Sequence, residues 1–449
     1  MAKLWDKGKS TDTLVEKFTV GEDYIFDMNL VHYDILGNIA HARTLNKAGI
    51  LSEAELKKLE AALRKLMKVH QRGEFTIPAE LEDVHTAVEN YLTGQLGGLG
   101  KKIHTGRSRN DQIIVDMRLY MRDRINVLSS ALLDAARTIL AFAEKNKDIP
   151  MPGFTHTRAA MPSSAGLWSA CLAELLLDDL VLLDAAYAVI DQSPLGSAAG
   201  YGVPLNLDRE FTAKQLGFAR VHKNVLAVQN GRGKFELALV SACQQIMIDL
   251  SRAAADIILF SMPEFGFIAI PDELTTGSSI MPQKRNPDPM ELIRASTHSV
   301  NGAAASLAGT LTGLISGYNR DLQLTKGPTM KVLDTVVSSL AIMNRMFAGI
   351  TVNEKRCIEG FSPDIFAADA ALEMVVKQNV PFREAYKSVA GRLGEFSGLD
   401  PKQIIKSRKH AGAAGNLGLD AENKRVAICA AALQKRVAKI NSAFDNLLK

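Results

Sequence analysis

Apolar residues recur at three- and four-residue spacing along most of the chain, the period of a helix with one buried face. Ser52 followed by Glu55 has the form of a capping box, and Leu56, Leu59, Leu63, Leu66 and Met67 continue at helical spacing until Gly73. From Asn110 to about Lys147 there is neither glycine nor proline. At 1.5 Å per residue such a helix is roughly 55 Å long. Asn110 or Asp111 is placed to cap it. Pro162 opens a second run to about Gln192, Lys234 to Ser261 forms a third, and two more start near Pro289 and Pro328. All five exceed the usual mean of about 11–12 residues.

Some of these runs are apolar on more than one face, as in Leu175, Leu176, Leu177, Leu180, Val181, Leu182 and Leu183. A helix without a solvated face must be surrounded by others, within the subunit or across subunits. The pattern therefore predicts an all-α fold built on a central bundle of long helices, assembled as a homo-oligomer. Glycine and proline cluster at 94–106, 150–153, 194–204, 263–289 and 313–328, which mark the connections. Strands do not alternate with helices, so a doubly wound sheet is disfavoured. Three domains are expected: an N-terminal helical part, 1–107, the long-helix bundle, 108–355, and a C-terminal part of shorter helices, 356–449. The Gly/Ala stretch Ala411–Gly418 reads as a turn.

Composition narrows the function classes. The chain has 449 residues, 47% of them hydrophobic, with 53 basic against 49 acidic side chains and a net charge of +4. Disorder needs lower hydrophobicity and more net charge, and a dedicated nucleic-acid binder needs a stronger positive field. Four dispersed cysteines without a Cys-x-x-Cys pair point to a reducing, cytoplasmic setting. Nine histidines without a His-Glu-x-x-His pattern give no support for a metal site. The segment MAKLWDKGKSTDTLVEKF lacks the apolar core of a signal peptide. Leu167–Ile190, the most apolar long stretch, carries Glu174, Asp178, Asp179 and Asp184, which argues for a buried helix rather than a membrane span.

Four polar, breaker-rich segments interrupt the apolar helices. HTGRSRNDQ, His104–Gln112, ends a glycine-rich loop and opens the Asn110 helix, where free amides with Arg107 and Arg109 could hold an anion. GFTHTRAAMP, Gly153–Pro162, places His156 in a loop between prolines, where packing does not require it. TTGSSIMPQKRNPDPMELIR, Thr275–Arg294, joins a flexible Gly277-Ser278-Ser279 stretch to Lys284, Arg285 and Asn286. Its Ile280 and Met281 suit a lid that docks over a pocket. GYNRDLQLTKGP, Gly317–Pro328, offers Tyr318, Arg320, Gln323 and Lys326 as donors for carboxylates. Each could also be a plain surface loop or helix junction. Together they suit a small polycarboxylate substrate and proton transfer without a cofactor.

GSSIMPQKRNP resembles the signature loop of the fumarase/aspartase superfamily, and HTGRSRNDQ together with MPQK resembles its argininosuccinate lyase family. The likeness extends to KLWDKG near the start, EDVHTAVE, SPLGSAAGYGVPLNLDRE, PEFGFIAIPDELTTGSS and VPFREAY. It implies a homotetramer with active sites shared between subunits, no cofactor, no nucleic-acid or membrane partner, and reversible cleavage of argininosuccinate to arginine and fumarate. By the same resemblance Ser278 is the expected base, with Lys284 and Asn286 stabilising the carbanion, and His156 is the expected acid or proton relay, oriented by Glu291. Thr155, His85, Ser108, Arg109, Asn110, Tyr318, Gln323 and Lys326 are the expected substrate contacts. The sequence departs from the family pattern at Gln229-Asn230-Gly231-Arg232-Gly233, where the arginine is displaced by one, at Leu324-Thr325 and at Tyr386. A sister lyase releasing fumarate (adenylosuccinate lyase, aspartase or fumarase), or a non-catalytic oligomeric scaffold, is the alternative.

Overall fold

The computed structural model describes residues 12–396 and 398–449. KLWDKG and most of the amino-terminal segment discussed above lie outside the described residues. Helices dominate, as the periodicity predicts. The principal ones are α1 (Val31–Lys47), α2 (Glu53–Gln71), α3 (Val84–Leu96), α4 (Arg109–Asn146), then, after a hairpin of β1 (Pro150–Thr155) and β2 (Arg158–Ser164), α5 (Ala165–Ile190), α6 (Lys234–Ser261), α7 (Asp288–Leu311), α8 (Lys326–Gly349) and α9 (Leu419–Leu448). The Ser52–Glu55 capping box forms, with both reciprocal hydrogen bonds present.

Helix α4, 38 residues long, is the axis of the bundle. It packs along α5, α8, α9 and α1, while α6 packs on α7, α5 and α8. Close approach at the α4–α5 junction needs Gly166, whose place would put a Cβ 2.5 Å from the Lys147 backbone. Two arginines of α4 are fully buried and hold the 191–222 connection against it. Arg118 donates to the Gln192 carbonyl at 2.7 Å and stacks 4.6 Å over Phe235, and Arg122 donates to the Gly217 carbonyl at 2.9 Å and lies 3.3 Å from Asp191. By length and composition α4 could cross a membrane, but most of that stretch is buried among its neighbours. One continuous apolar core runs from Leu30 to Leu447, and a small separate cluster forms around Ala371, Ala385 and Val389.

Three expectations are corrected. Pro162 does not open a helix: it lies in β2, and α5 starts at Ala165 with the Ser164 hydroxyl accepting from the Leu167 amide at 3.0 Å. Neither Asn110 nor Asp111 caps α4. Ser108 does, while Asp111 returns the bond from inside the helix. The C-terminal part is not made of shorter helices alone, because α9 runs for 30 residues and returns along α4, where Arg436 reaches Asn126 and Asp184. Its charged residues face outward on several sides, which hides the buried Val426, Ile440, Phe444 and Leu447 from a periodicity search.

The long helices leave apolar side chains uncovered in the single subunit. Val181, Leu182 and Val189 on α5, Ile248 and Leu259 on α6 and Leu292 on α7 are exposed. Such faces need another surface to cover them.

Candidate active site

A polar cavity of about 150 Å³ opens where the start of α4, the start of α3, the 19–27 segment and the approach to α8 converge. Six of the expected substrate contacts line it, His85, Arg109, Asn110, Tyr318, Gln323 and Lys326, and Arg320 of the fourth polar segment joins them. Asp23, Asp27, Asp83 and Arg232 share its walls.

The local sequence explains the placement. The Ser108 hydroxyl accepts from the Asn110 amide at 3.2 Å, and Asp111 accepts from the Ser108 amide at 2.9 Å. That capping box starts α4 with Arg109 and Asn110 in its first turn, facing the cavity. The amides expected to be free are therefore partly engaged. Arg109 is not free either: it pairs with Asp83 at 2.8 Å and Glu82 at 3.5 Å. Arg107 turns away from the cavity and donates to Asn38 at 2.8 Å in a buried site.

Lys326, only 3% exposed, opens α8 and is held between Asp27 and Asp23, the latter at 2.9 Å. Burial alone would lower its pKa, but Asp27 and Asp23 outweigh it and hold the ammonium above its ordinary range. Asp27 also accepts from the Val84 amide at 2.9 Å, which ties α3 to the same point. Gln323 donates to the Thr19 carbonyl at 3.0 Å, so this side chain braces the wall. Arg232, largely buried, lies 5.5 Å from the Tyr318 ring.

Behind the cavity, His85 meets Asp34 at 2.8 Å through Nδ1 and Asp116 at 3.7 Å. Burial opposes the charge on His85, but the hydrogen bond and charge of Asp34, with Asp83 and Asp27, raise its pKa overall. Asp34, His85 and Asp116 each offer one atom within 4.8 Å of the others, the spacing a cation would need. Here His85 Nδ1 is already engaged by Asp34, and the cationic Arg107 stands next to the group. Those contacts describe a hydrogen-bonded charge network.

The remaining sequence-derived residues lie elsewhere in the subunit. His156 and Thr157 form the tip of the β1–β2 hairpin with φ of 53° and 60°, a tight turn that twists with its strands, and Thr155 flanks it. All three are exposed. Ser278 lies in a flap closed by the Thr276–Gly277 and Arg285–Asn286 pairing. Its hydroxyl accepts from the Met281 amide at 3.1 Å, while Lys284 is exposed and Ile280 is 82% exposed. Glu291 projects to solvent from the first turn of α7. Among the described residues, no hydrogen bond or ion pair joins His156 to Glu291, and neither Ser278, Lys284, Asn286 nor His156 lines the cavity.

Sequence reasoning missed Asp23, Asp27 and Asp34. Asp23 and Asp27 are spaced four apart, which places both on one helix face, and that was the signal available. Arg232 was noted only as a displaced arginine.

The sequence profile of the Lyase family matches residues 6–302. The chain is 47% identical over 392 residues to the argininosuccinate lyase of Thermotoga neapolitana, covering 87% of this chain and 98% of that protein. It is 44% identical to the argininosuccinate lyase of Sorangium cellulosum, covering 93% of this chain and 97% of that one. Among solved structures, EDDS lyase in complex with formate superposes with a TM-score of 0.83 at 20% identity, over 98% of this chain and 95% of that one. The Brucella melitensis fumarate lyase:delta crystallin gives 0.72 at 19% identity, over 92% and 94%. These distant structures speak for the fold, while the sequence relatives decide the family: this chain belongs to the argininosuccinate lyases of the fumarase/aspartase superfamily.

Proposed function

We propose that this chain cleaves argininosuccinate reversibly to arginine and fumarate, as the carbon–nitrogen lyase its family name describes, with each active site completed by segments of neighbouring subunits. The observation that supports it most is the cavity that gathers His85, Arg109, Asn110, Tyr318, Gln323 and Lys326 while leaving the flap and the hairpin tip apart from it.

The chemistry needs both halves. A proton leaves the carbon next to a carboxylate, and the carbanion survives only as a doubly charged aci-carboxylate, so cations and donors must surround that carboxylate. Ser278, as an alkoxide, takes the proton. Lys284 and Asn286 from the same flap stabilise the dianion. The C–N bond then breaks, and the departing nitrogen leaves protonated, with His156 as acid or relay and Glu291 of a neighbouring subunit orienting it. Ser108, Arg109 and Asn110 hold substrate carboxylates, and Tyr318, Gln323 and Lys326 contact the arginine and succinate parts, with Thr155 and His85 adding hydrogen bonds. Arg232, facing the cavity beside Tyr318, takes the place of the displaced family arginine. The exposed apolar faces of α5, α6 and α7 support a homotetramer with a shared helical core. In the division into 1–107, 108–355 and 356–449, the separate cluster at Ala371, Ala385 and Val389 supports a distinct unit within the last part, while one core runs through the other two. The four free thiols suit a reducing cytoplasm.

Two measurements test this. Ultraviolet absorbance should report fumarate from argininosuccinate and not from adenylosuccinate, malate or aspartate. Signal from adenylosuccinate alone would favour a sister lyase, and silence with all four would favour a scaffold. Co-expressed Ser278→Ala and Arg109→Ala subunits, each inactive alone, should regain activity as mixed oligomers. Mixed oligomers as inactive as their parents would overturn the shared site.

A further inference from the structure

The buried charges behind the cavity point beyond the substrate contacts. We propose that Asp34 and Asp116 form a positioning pair behind His85: the two carboxyls share one proton, Asp34 anchors the imidazole through Nδ1, and Nε2–H is thereby fixed as a donor facing the cavity. This rests on the reading of His85 as a substrate contact.

All three side chains are nearly inaccessible. Asp34 meets His85 Nδ1 at 2.8 Å and accepts from the Asn38 amide at 2.7 Å, and Asn38 in turn accepts from Arg107 at 2.8 Å. One carboxylate of the pair is thus fully engaged as an acceptor. Asp116 is the opposite case: neither of its oxygens receives a hydrogen bond from a donor among the described residues. A buried ionised carboxylate without donors is costly, whereas a protonated one can donate to its neighbour. Burial first, then Asp34 and Asp27, push the Asp116 carboxyl well above the aspartate range, and Asp34 and Asp116 bring carboxylate oxygens within 4.8 Å of each other. Two adjoining carboxyls cannot both ionise cheaply, so one proton stays between them.

That proton decides the charge on His85. The acids Asp27, Asp34, Asp83 and Asp116, the Arg107 cation and the His104 imidazole, whose own pKa burial and Arg107 push down to about 4, face this region. The Asp34 oxygen 2.8 Å from Nδ1 is the contact that favours a doubly protonated imidazole. His85 Nε2 has no partner among the described residues, yet His85 lines the cavity. An N–H left free there can meet a substrate carboxylate without losing an existing bond.

The test is the pH dependence of fumarate release by the assembled enzyme. Asp34→Asn should raise KM for argininosuccinate about tenfold or more, the worth of one charge-assisted hydrogen bond, with a smaller change in kcat. Its KM should climb as pH rises through the ordinary imidazole value of about 6.5, while the wild type holds its KM to higher pH. Asp34→Glu, which restores a carboxylate, should recover part of the alkaline limb, and melting curves on both variants separate misfolding from mispositioning. Asp116→Asn keeps a neutral donor and should lose several-fold less than Asp34→Asn, with its pH limb unshifted. An active wild type whose Asp34→Asn form keeps the same KM and pH limb would overturn this inference alone, as would an Asp116→Asn limb that moves with that of Asp34→Asn. A folded wild type that releases no fumarate from argininosuccinate would overturn the functional reading and this inference together.

Discussion

The cavity and the flap are built on opposite principles. Two cations of the cavity wall are already paired: Lys326 with Asp27 and Asp23, and Arg109 with Asp83. The flap and the hairpin tip carry Lys284 and His156 into solvent and leave Ser278 half-buried, its hydroxyl meeting only flap amides. A preformed, ion-paired pocket costs no reorganisation when substrate arrives, whereas an exposed flap can move and exclude water as it closes. On the proposed roles, binding and proton transfer fall to structures of different stiffness.

Substitutions can break this contrast, and the largest effect is expected on the mobile side. Ser278→Ala should lower kcat by about 10³-fold or more while the melting temperature stays put, since its hydroxyl touches only flap amides. An unchanged kcat would assign the base elsewhere. The reverse pattern is expected on the rigid side. Lys326→Met leaves Asp27 buried without its cation and should cost about 3–5 kcal/mol of folding stability, read by denaturant unfolding. A loss confined to KM would mean that the lysine is not a structural keystone. His156→Asn sharpens the comparison, because asparagine tolerates the positive φ of the turn. It should lose about 10²-fold in kcat with no change in stability. The smallest effect concerns the bundle itself. Burial, with Asp249 and Asp178 adding to it, pushes the Asp179 carboxyl up to about 8. An acid raised on folding binds its proton more tightly in the folded state, so stability falls as pH rises from the usual aspartate range to about 8. Asp179→Asn should flatten that slope and raise the melting temperature by about 2–4 °C at mildly alkaline pH. An unchanged slope would show that another group meets the charge.

The long helices were legible because their breakers are few and well placed: α6 begins and ends where the sequence says, and α4, α7 and α8 differ by a residue or two. The hairpin was not. Its strands carry Pro150, Pro152 and Pro162, and its turn uses His156 and Thr157 where glycine or asparagine would have announced a positive φ. The site residues were found as separate motifs, and the sequence could not tell that six of them meet around one space. Lys326 and Asp27 lie 299 positions apart, and no local pattern links a lysine to acids at that distance. The unoccupied apolar faces of α5 follow from the same limit: the sequence marks them as buried, but only a partner surface can cover them.

Asp111 has a wider reach than a cap. One of its oxygens holds the Ser108 amide and the other accepts from the amides of Gly196 at 3.0 Å and Ala198 at 2.9 Å. A single carboxylate therefore rivets the glycine-rich crossover to the first turn of the axial helix. Downstream of that rivet, Val203, Leu205 and Leu207 lie against Gly106, in the loop that leads into Arg109. The crossover thus fixes the helix start from two sides, by a carboxylate inside it and by apolar side chains over the turn before it.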